Sequence, residues 1–251
     1  MDFLYPSLNN KLILVTGATS GIGNALCKQL LNQKANVVGI GRDVSKLDQD
    51  IKNNKNFTFK AFDLIQINNL EDVLKDVVHK FGKLDGLVHC AGKEETVPLS
   101  IYKSEKIKSI FEINVMSGIE LLRIFSKKKF SNDNSSVILL SSVMGELGQP
   151  GKVGYCASKA AVLGVVKAAS LELAKRSIRV NAVSPGVVKT PMTLNLFNQL
   201  SEENIKEIEN MHPLGTGNVE DITPLMLFLL SNQSKWITGQ NIKIDGGYSI
   251  Q

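Results

Sequence analysis

Cysteine is scarce and scattered in this chain: Cys27, Cys90 and Cys156 are the three in 251 residues. An odd number without regular spacing excludes a disulfide framework and a metal cluster, and it fits reduced thiols in a cytoplasmic compartment. Long apolar runs are missing too. A membrane helix needs about 18 or more consecutive apolar residues, and no segment approaches that. Met1 to Asn10 lacks a basic stretch followed by an apolar one, so neither a signal peptide nor a lipid anchor is expected. Proline is sparse, at seven residues, and no linker, low-complexity tract or internal repeat interrupts the chain. Nor is there a strong charge of either sign, the net value being +5. The one tight basic run, Lys127-Lys128-Lys129, has no aromatic platform beside it, so it reads as solvated surface; neither nucleic acid nor membrane is an expected partner.

What is present is the composition of a globular chain, 43% hydrophobic and 21% charged, of a length suited to one domain over 1–251. Short apolar runs recur at Leu12 to Val15, Asn36 to Ile40, Thr58 to Phe62, Gly86 to His89, Ser136 to Leu140, Ile178 to Ala182 and Asn241 to Ile244. Stretches between them are long enough for helices, and Gly21 to Gln33 carries apolar residues at helical spacing. Continuously apolar strands alternating with helices predict an α/β Rossmann-type fold: a doubly wound parallel sheet of about seven strands, with helices on both faces.

The first strand runs into Gly17-Ala18-Thr19-Ser20-Gly21-Ile22-Gly23, and a helix follows at once. Glycine lets the backbone turn sharply and come close to a ligand. The free N–H groups of the helix start then suit a pyrophosphate. The spacing is G-x-x-x-G-x-G rather than G-x-G-x-x-G, and the position between strand and helix is what gives the loop its weight.

At the end of the second strand an acid would accept from the ribose hydroxyls and repel a 2′-phosphate. Gly41 stands at that place and Arg42 follows, whose guanidinium can pair with phosphate. This favours NADP(H) over NAD(H). A strand ending two residues later would instead make Asp43 the NAD-type acid; its favoured role is to cap the helix starting near Val44.

Tyr155 and Lys159 are one helical turn apart, so they share a face. An ammonium beside a phenol favours phenolate and moves a poor acid/base toward working pH. Upstream, Ser142 closes an apolar strand, where an α/β fold opens its ligand crevice, and a hydroxyl there can bond a substrate carbonyl. Simple strand-end capping is the expectation for Ser141.

Taken in order, Gly17/Gly21/Gly23, Cys90-Ala91-Gly92, Asn114, Ser142, Tyr155/Lys159 and Pro185-Gly186 resemble the short-chain dehydrogenase/reductase family in its short single-domain form, from about Lys11 to Tyr248. The resemblance implies Tyr155 as catalytic acid/base, Lys159 as the ribose ligand that lowers its pKa, and Ser142 as the group polarising the carbonyl. It implies that Asn114 holds a water in a proton relay. It further implies that Thr19, Ser20 and Ile22 belong to the cofactor loop and that Asp63 and Leu64 flank the adenine. Cys90, Ala91 and Gly92 would line the cofactor, with Pro185 and Gly186, and Val188 and Thr190 would face the nicotinamide amide. One departure stands out: His89-Cys90 replaces the usual Asn-Asn, and Cys90 gives up a side chain that ties strands together. Cys90 itself has no neighbour to activate it as a nucleophile.

Beyond Thr190, an apolar Met-containing segment, about 190–214, suits a lid over the substrate. His212 within it is expected to be structural. Small and apolar residues (Val115, Gly118, Ala160, Ala161, Gly164, Ala168 and Ala169) on the helices after Asn114 and Tyr155 match helices that pair between subunits in the family, so a homotetramer is expected. The resemblance points to carbonyl reduction, with 3-oxoacyl thioesters on acyl carrier protein as a leading substrate, although Lys93 to Ser100 is untypical of those reductases. The alternatives are an NAD(H)-dependent sugar or other alcohol dehydrogenase and a non-catalytic dinucleotide-binding regulator.

Overall fold

A computed structural model describes residues 5–198 and 200–250. Met1–Leu4 of the N-terminal segment read above, Gln199 of the expected lid, and Gln251 lie outside the described residues.

Seven strands, β1 (Leu12–Thr16), β2 (Asn36–Gly41), β3 (Phe57–Ala61), β4 (Leu84–His89), β5 (Ser131–Leu140), β6 (Arg179–Pro185) and β7 (Asn241–Ile244), alternate with helices. The helices are α1 (Gly21–Asn32), α2 (Gln49–Lys52), α3 (Leu70–Phe81), α4 (Ser104–Phe111), α5 (Ser117–Phe125), α6 (Val153–Leu173), α7 (Pro191–Phe197), α8 (Glu202–Asn210) and α9 (Val219–Leu230). All strand pairs are parallel, in the order β3-β2-β1-β4-β5-β6-β7. This is the doubly wound Rossmann-like α/β fold. The order reverses between β1 and β4, so successive crossovers leave in opposite directions and open a crevice at the strands' carboxyl ends.

Alternation along each strand feeds two cores. Leu12 and Leu14 of β1 meet Leu74 of α3, Phe125 of α5 and Val166 of α6 on one face. Ile13 and Val15 meet Leu26 and Leu30 of α1 and Met226 and Leu229 of α9 on the other. A strand covered on both sides has no solvated face, which is why β1 is apolar at four successive positions. Each such side chain contributes about 1.5–3 kcal/mol by burial.

Several strand boundaries differ by a few residues from the apolar runs, among them the starts of β4 at Leu84 and β3 at Phe57 and the end of β6 at Pro185. At the starts of β5 and β6, arginines explain the departure. β5 begins at Ser131 rather than Ser136, through a polar stretch with a register irregularity against β4. Buried Arg176 holds it, bonding Asp133 at 2.7 Å, the Ser131 carbonyl at 2.8 Å and the Ser126 carbonyl at 2.9 Å. β6 begins at Arg179 instead of Ile178, and that guanidinium donates to the carbonyls of Leu229 at 2.7 Å and Ser231 at 3.0 Å. A cation on the last carbonyls of α9 satisfies groups the helix leaves open. As for the basic run, Lys127 and Lys129 pair with Glu71, which Arg123 also meets.

Candidate active site

The crevice holds a cavity of about 410 Å³. The glycine loop forms its floor. Gly17 has φ of +67°, and a β-carbon on it would come within 2.9 Å of the Ala91 nitrogen. A β-carbon on Gly23 would meet the Gly17 carbonyl at 2.4 Å, so loop and α1 close on each other only through glycine. Ser20, at the start of α1, makes no side-chain cap, leaving the first-turn N–H groups open to an anion.

β2 ends at Gly41, whose hypothetical β-carbon would sit 2.7 Å from the Thr19 side chain. Any side chain there would require Thr19 to shift. Arg42 is exposed on the cavity rim. Asp43 turns away and accepts from Ser45 N at 2.9 Å, capping the short 3-10 turn Val44–Lys46 as expected.

The tie lost at Cys90 is supplied by its neighbour. His89 is buried, with Nδ1 2.8 Å from Thr16 Oγ1 on β1 and Nε2 3.2 Å from Ser117 Oγ on α5. Ser117 Oγ donates to the Ile113 carbonyl at 2.7 Å, so Nε2 carries the ring proton and Nδ1 accepts. Burial, aided by the Lys159 charge, pushes His89 down to about 4, so the ring is neutral. Gly118 packs against this ring. It and Val115 turn inward, correcting their expected place on an outer helix face, whereas Ala160, Gly164 and Ala168 are exposed. Burial drives the Cys90 thiol up to about 12, which leaves it inert.

Asn114 sits in a π-helical turn, Glu112–Met116, behind the cavity wall. Its Oδ1 accepts from Lys93 N at 2.9 Å, and its Nδ2 donates to the Lys93 carbonyl and to Ser158 Oγ, each at 3.0 Å. Ser158 Oγ donates in turn to the Tyr155 carbonyl at 2.8 Å. Asn114 therefore fastens the segment after β4 to α6.

Lys159 is buried and donates to the Leu140 carbonyl at 2.8 Å, with its ammonium 5.7 Å from the centre of the Tyr155 ring. Burial brings Lys159 down to about 8. For Tyr155, burial raises the phenol above its ordinary value, and a hydrogen bond from Ser142 opposes the rise. The lowering expected from Lys159 is not what this protein alone displays, because that ammonium is directed to the end of β5. Capping also falls differently from expectation: Ser142 Oγ accepts from Met144 N at 3.2 Å, while Ser141 Oγ donates to the Lys159 carbonyl at 2.9 Å.

One cavity gathers Gly17, Thr19, Ser20, Gly21, Ile22, Gly23, Arg42, Asp63, Leu64, Cys90, Ala91, Gly92, Ser142, Tyr155, Lys159, Pro185, Gly186, Val188 and Thr190. Of the residues expected from sequence to be catalytic or to bind the cofactor, Asn114 alone stands outside its lining. His212 is structural: its Nε2 accepts from Val187 N at 3.1 Å, its Nδ1 donates to the Ile208 carbonyl at 2.8 Å, and it stacks on Tyr248. Sequence reasoning missed Glu94 and Lys152, both on the cavity wall. Their signal was adjacency, one just past Gly92 and the other just ahead of Tyr155.

A doubly wound sheet with this glycine loop and this Ser, Tyr and Lys at the end of β5 defines a short-chain dehydrogenase/reductase, and the chain belongs to that family of oxidoreductases. Residues 17–249 match the family profile described as enoyl-(acyl carrier protein) reductase. The chain is 36% identical to the 3-oxoacyl-(acyl-carrier-protein) reductase FabG of Thermotoga maritima, over 97% of this chain and 99% of that one. It is also 36% identical to FabG of Rickettsia bellii, over 96% and 97%. Among solved structures, a 4-hydroxyisoleucine dehydrogenase complexed with NADH superimposes with TM-score 0.89 at 28% identity, covering 96% of this chain and all (100%) of the other. Aldohexose dehydrogenase of Thermoplasma acidophilum shares the fold, with TM-score 0.87 at 22% identity over 98% and 97%. Among the described residues no helix is long and apolar enough to cross a membrane.

Proposed function

We propose that the protein is an NADP(H)-dependent enzyme interconverting a ketone and a secondary alcohol, with Tyr155 as the acid/base. The observation that carries this reading is the convergence of Ser142, Tyr155 and Lys159 on a cavity whose floor admits only glycine. That floor fits a dinucleotide: the backbone of Gly17, Gly21 and Gly23 and the open N–H groups of α1 receive a pyrophosphate. Arg42, beside a Gly41 that carries no acid and is crowded by the Thr19 side chain, supports NADP(H). The NAD(H) alternative would need Asp43, whose carboxylate is committed to Ser45. Asp63 and Leu64 flank the adenine; Ala91, Gly92, Pro185 and Gly186 line the cofactor, and Val188 and Thr190 meet the amide.

When bound, the cofactor supplies the hydride in reduction and takes it back in oxidation. Ser142 Oγ and Tyr155 Oη hold the carbonyl oxygen, and Tyr155 gives it the proton as the carbon is reduced. Burial keeps Tyr155 as the phenol, the form that reduction requires. Lys159 holds the ribose and returns a proton to Tyr155, through a relay supported by Asn114. The FabG relatives make a 3-oxoacyl thioester, free or carried on acyl carrier protein, the first substrate to try. We further propose a single cytoplasmic domain over 1–251 with a lid at 190–214. The protein would be a homotetramer, with the exposed stripe of α6 that ends at Leu171 forming one of its interfaces.

The test is loss of reduced-nicotinamide absorbance against acetoacetyl thioesters, keto sugars and cyclic ketones. Preference for NADPH of about tenfold or more is expected, the worth of one charge-assisted phosphate contact; equal or better use of NADH would overturn the Arg42 argument. Tyr155→Phe should lower kcat on the order of a thousandfold. Full turnover in that variant would overturn the mechanism.

A further inference from the structure

One wall of the cavity is charged in a way that hydride chemistry does not require. Residues 93–102 fold back over the start of α6. Val97 N donates to the Gly151 carbonyl at 2.8 Å, and Tyr102, whose hydroxyl donates to Glu95, lies so close to Gly154 that no β-carbon would fit between them. This docking brings Glu94 onto Lys152, and the two form an ion pair on the cavity wall. Their side chains are only 15% and 7% exposed.

Neither partner is saturated. Glu94 Oε1 takes both Lys152 Nζ and Thr96 Oγ1, the latter at 3.1 Å. Among the described residues, Oε2 of Glu94 has no protein partner, and the ammonium keeps two N–H groups beyond its bond to Glu94. Removing charges from water is costly unless their remaining hydrogen-bonding capacity is met. Whatever fills the cavity beside Tyr155 displaces the water that would meet it. An alkyl chain leaves both groups wanting. A carboxylate is drawn to Lys152 but repelled by Glu94, and an amine the reverse, so neither satisfies both groups. A hydroxyl serves both, donating to the carboxylate and accepting from the ammonium. Met192, Leu196 and Phe197 line the same cavity and offer an apolar surface for the carbon skeleton.

We propose that Glu94 and Lys152 form a specificity-determining pair that selects a substrate with a hydroxyl next to the reacting carbon: an α-hydroxyketone in reduction, a vicinal diol in oxidation. This rests on the ketone–alcohol reading above and narrows it away from unsubstituted acyl chains.

The experiment compares 2-hydroxycyclohexanone with cyclohexanone under NADPH, for wild type and for Glu94→Gln, Lys152→Met and the double variant, each checked by thermal melting. Wild type should favour the hydroxylated ketone in kcat/KM by on the order of a hundredfold. In the double variant, which leaves no lone buried charge, the ratio should fall toward one, mostly through KM. Equal kcat/KM in wild type, or an unchanged ratio in a folded double variant, overturns the pair as a selector. If neither ketone is turned over, the reductase reading is what fails, and the pair is judged by binding. Saturation-transfer NMR with trans-1,2-cyclohexanediol should then detect contact in wild type and lose it in the double variant. No contact in wild type, or equal contact in both, overturns the proposal.

Discussion

The two sides of the cavity are built differently. The sheet side consists of strand ends, the early turns of α1 and α6 and the π-turn behind them, where Ser142, Lys159 and Asn114 are all buried and each bonded to backbone. On the lid side, α7 and α8 contain no buried residue among those described, and Leu194 is 54% exposed. Parts that must hold a proton and a dinucleotide in fixed geometry are over-determined by packing. The segment proposed as the lid is the less buried part, so it can change with less disturbance to the sheet side.

The sharpest way to break this contrast is on the rigid side. Gly23→Ala places a methyl group against the Gly17 carbonyl, so the loop must shift. Affinity for NADPH, measured by fluorescence titration, should fall about a hundredfold or more, with a stability loss of about 1–3 kcal/mol. Unchanged affinity would show that the cradle is looser than its geometry.

His89 gives a middle-sized effect. Burial holds its pKa down to about 4, below the 6.5 of an ordinary histidine, so the unfolded chain binds the extra proton first as pH falls. Stability is therefore fully present above about 6.5 and drains between 6.5 and 4, by on the order of 2–3 kcal/mol. His89→Asn should remove most of that acid sensitivity in urea melts at pH 7 and pH 4.5. If the two proteins lose stability in parallel, the buried imidazole is not the cause.

The smallest effect belongs to the lid. Leu194→Ser should change stability by no more than about 0.5 kcal/mol, while KM for a bulky ketone shifts several-fold. A large drop in melting temperature would make the lid part of the core and erase the contrast.

Legibility in the sequence follows the same division. Strand cores such as Leu12 to Val15 were readable because burial on both faces leaves an unbroken apolar run. The glycine loop was readable because close backbone approach leaves a residue-specific mark. The polar start of β5 at Ser131 was not, since it depends on Arg176 reaching across from a distant turn. Nor was the tie through His89, which a histidine beside a cysteine does not announce until Thr16 and Ser117 are brought to its two nitrogens. Glu94 and Lys152 were hidden for the same reason: long-range docking decides whether two charges far apart in the chain become a pair.

The stacking of His212 on Tyr248 has a consequence for synthesis of the chain. Val187, whose N donates to His212 Nε2, and Tyr248 both border the cavity, and Leu214 N donates to the Gly246 carbonyl at 3.0 Å. The cavity that begins at Gly17 is thus enclosed only once residues 246–248 have been made and docked. A chain cut short of them would lack that wall and bind dinucleotide more weakly, whereas one that carries them would gain about 2.7 kcal/mol at a hundredfold excess over Kd. Ligand would then protect chains that reach this point over those that stop before it.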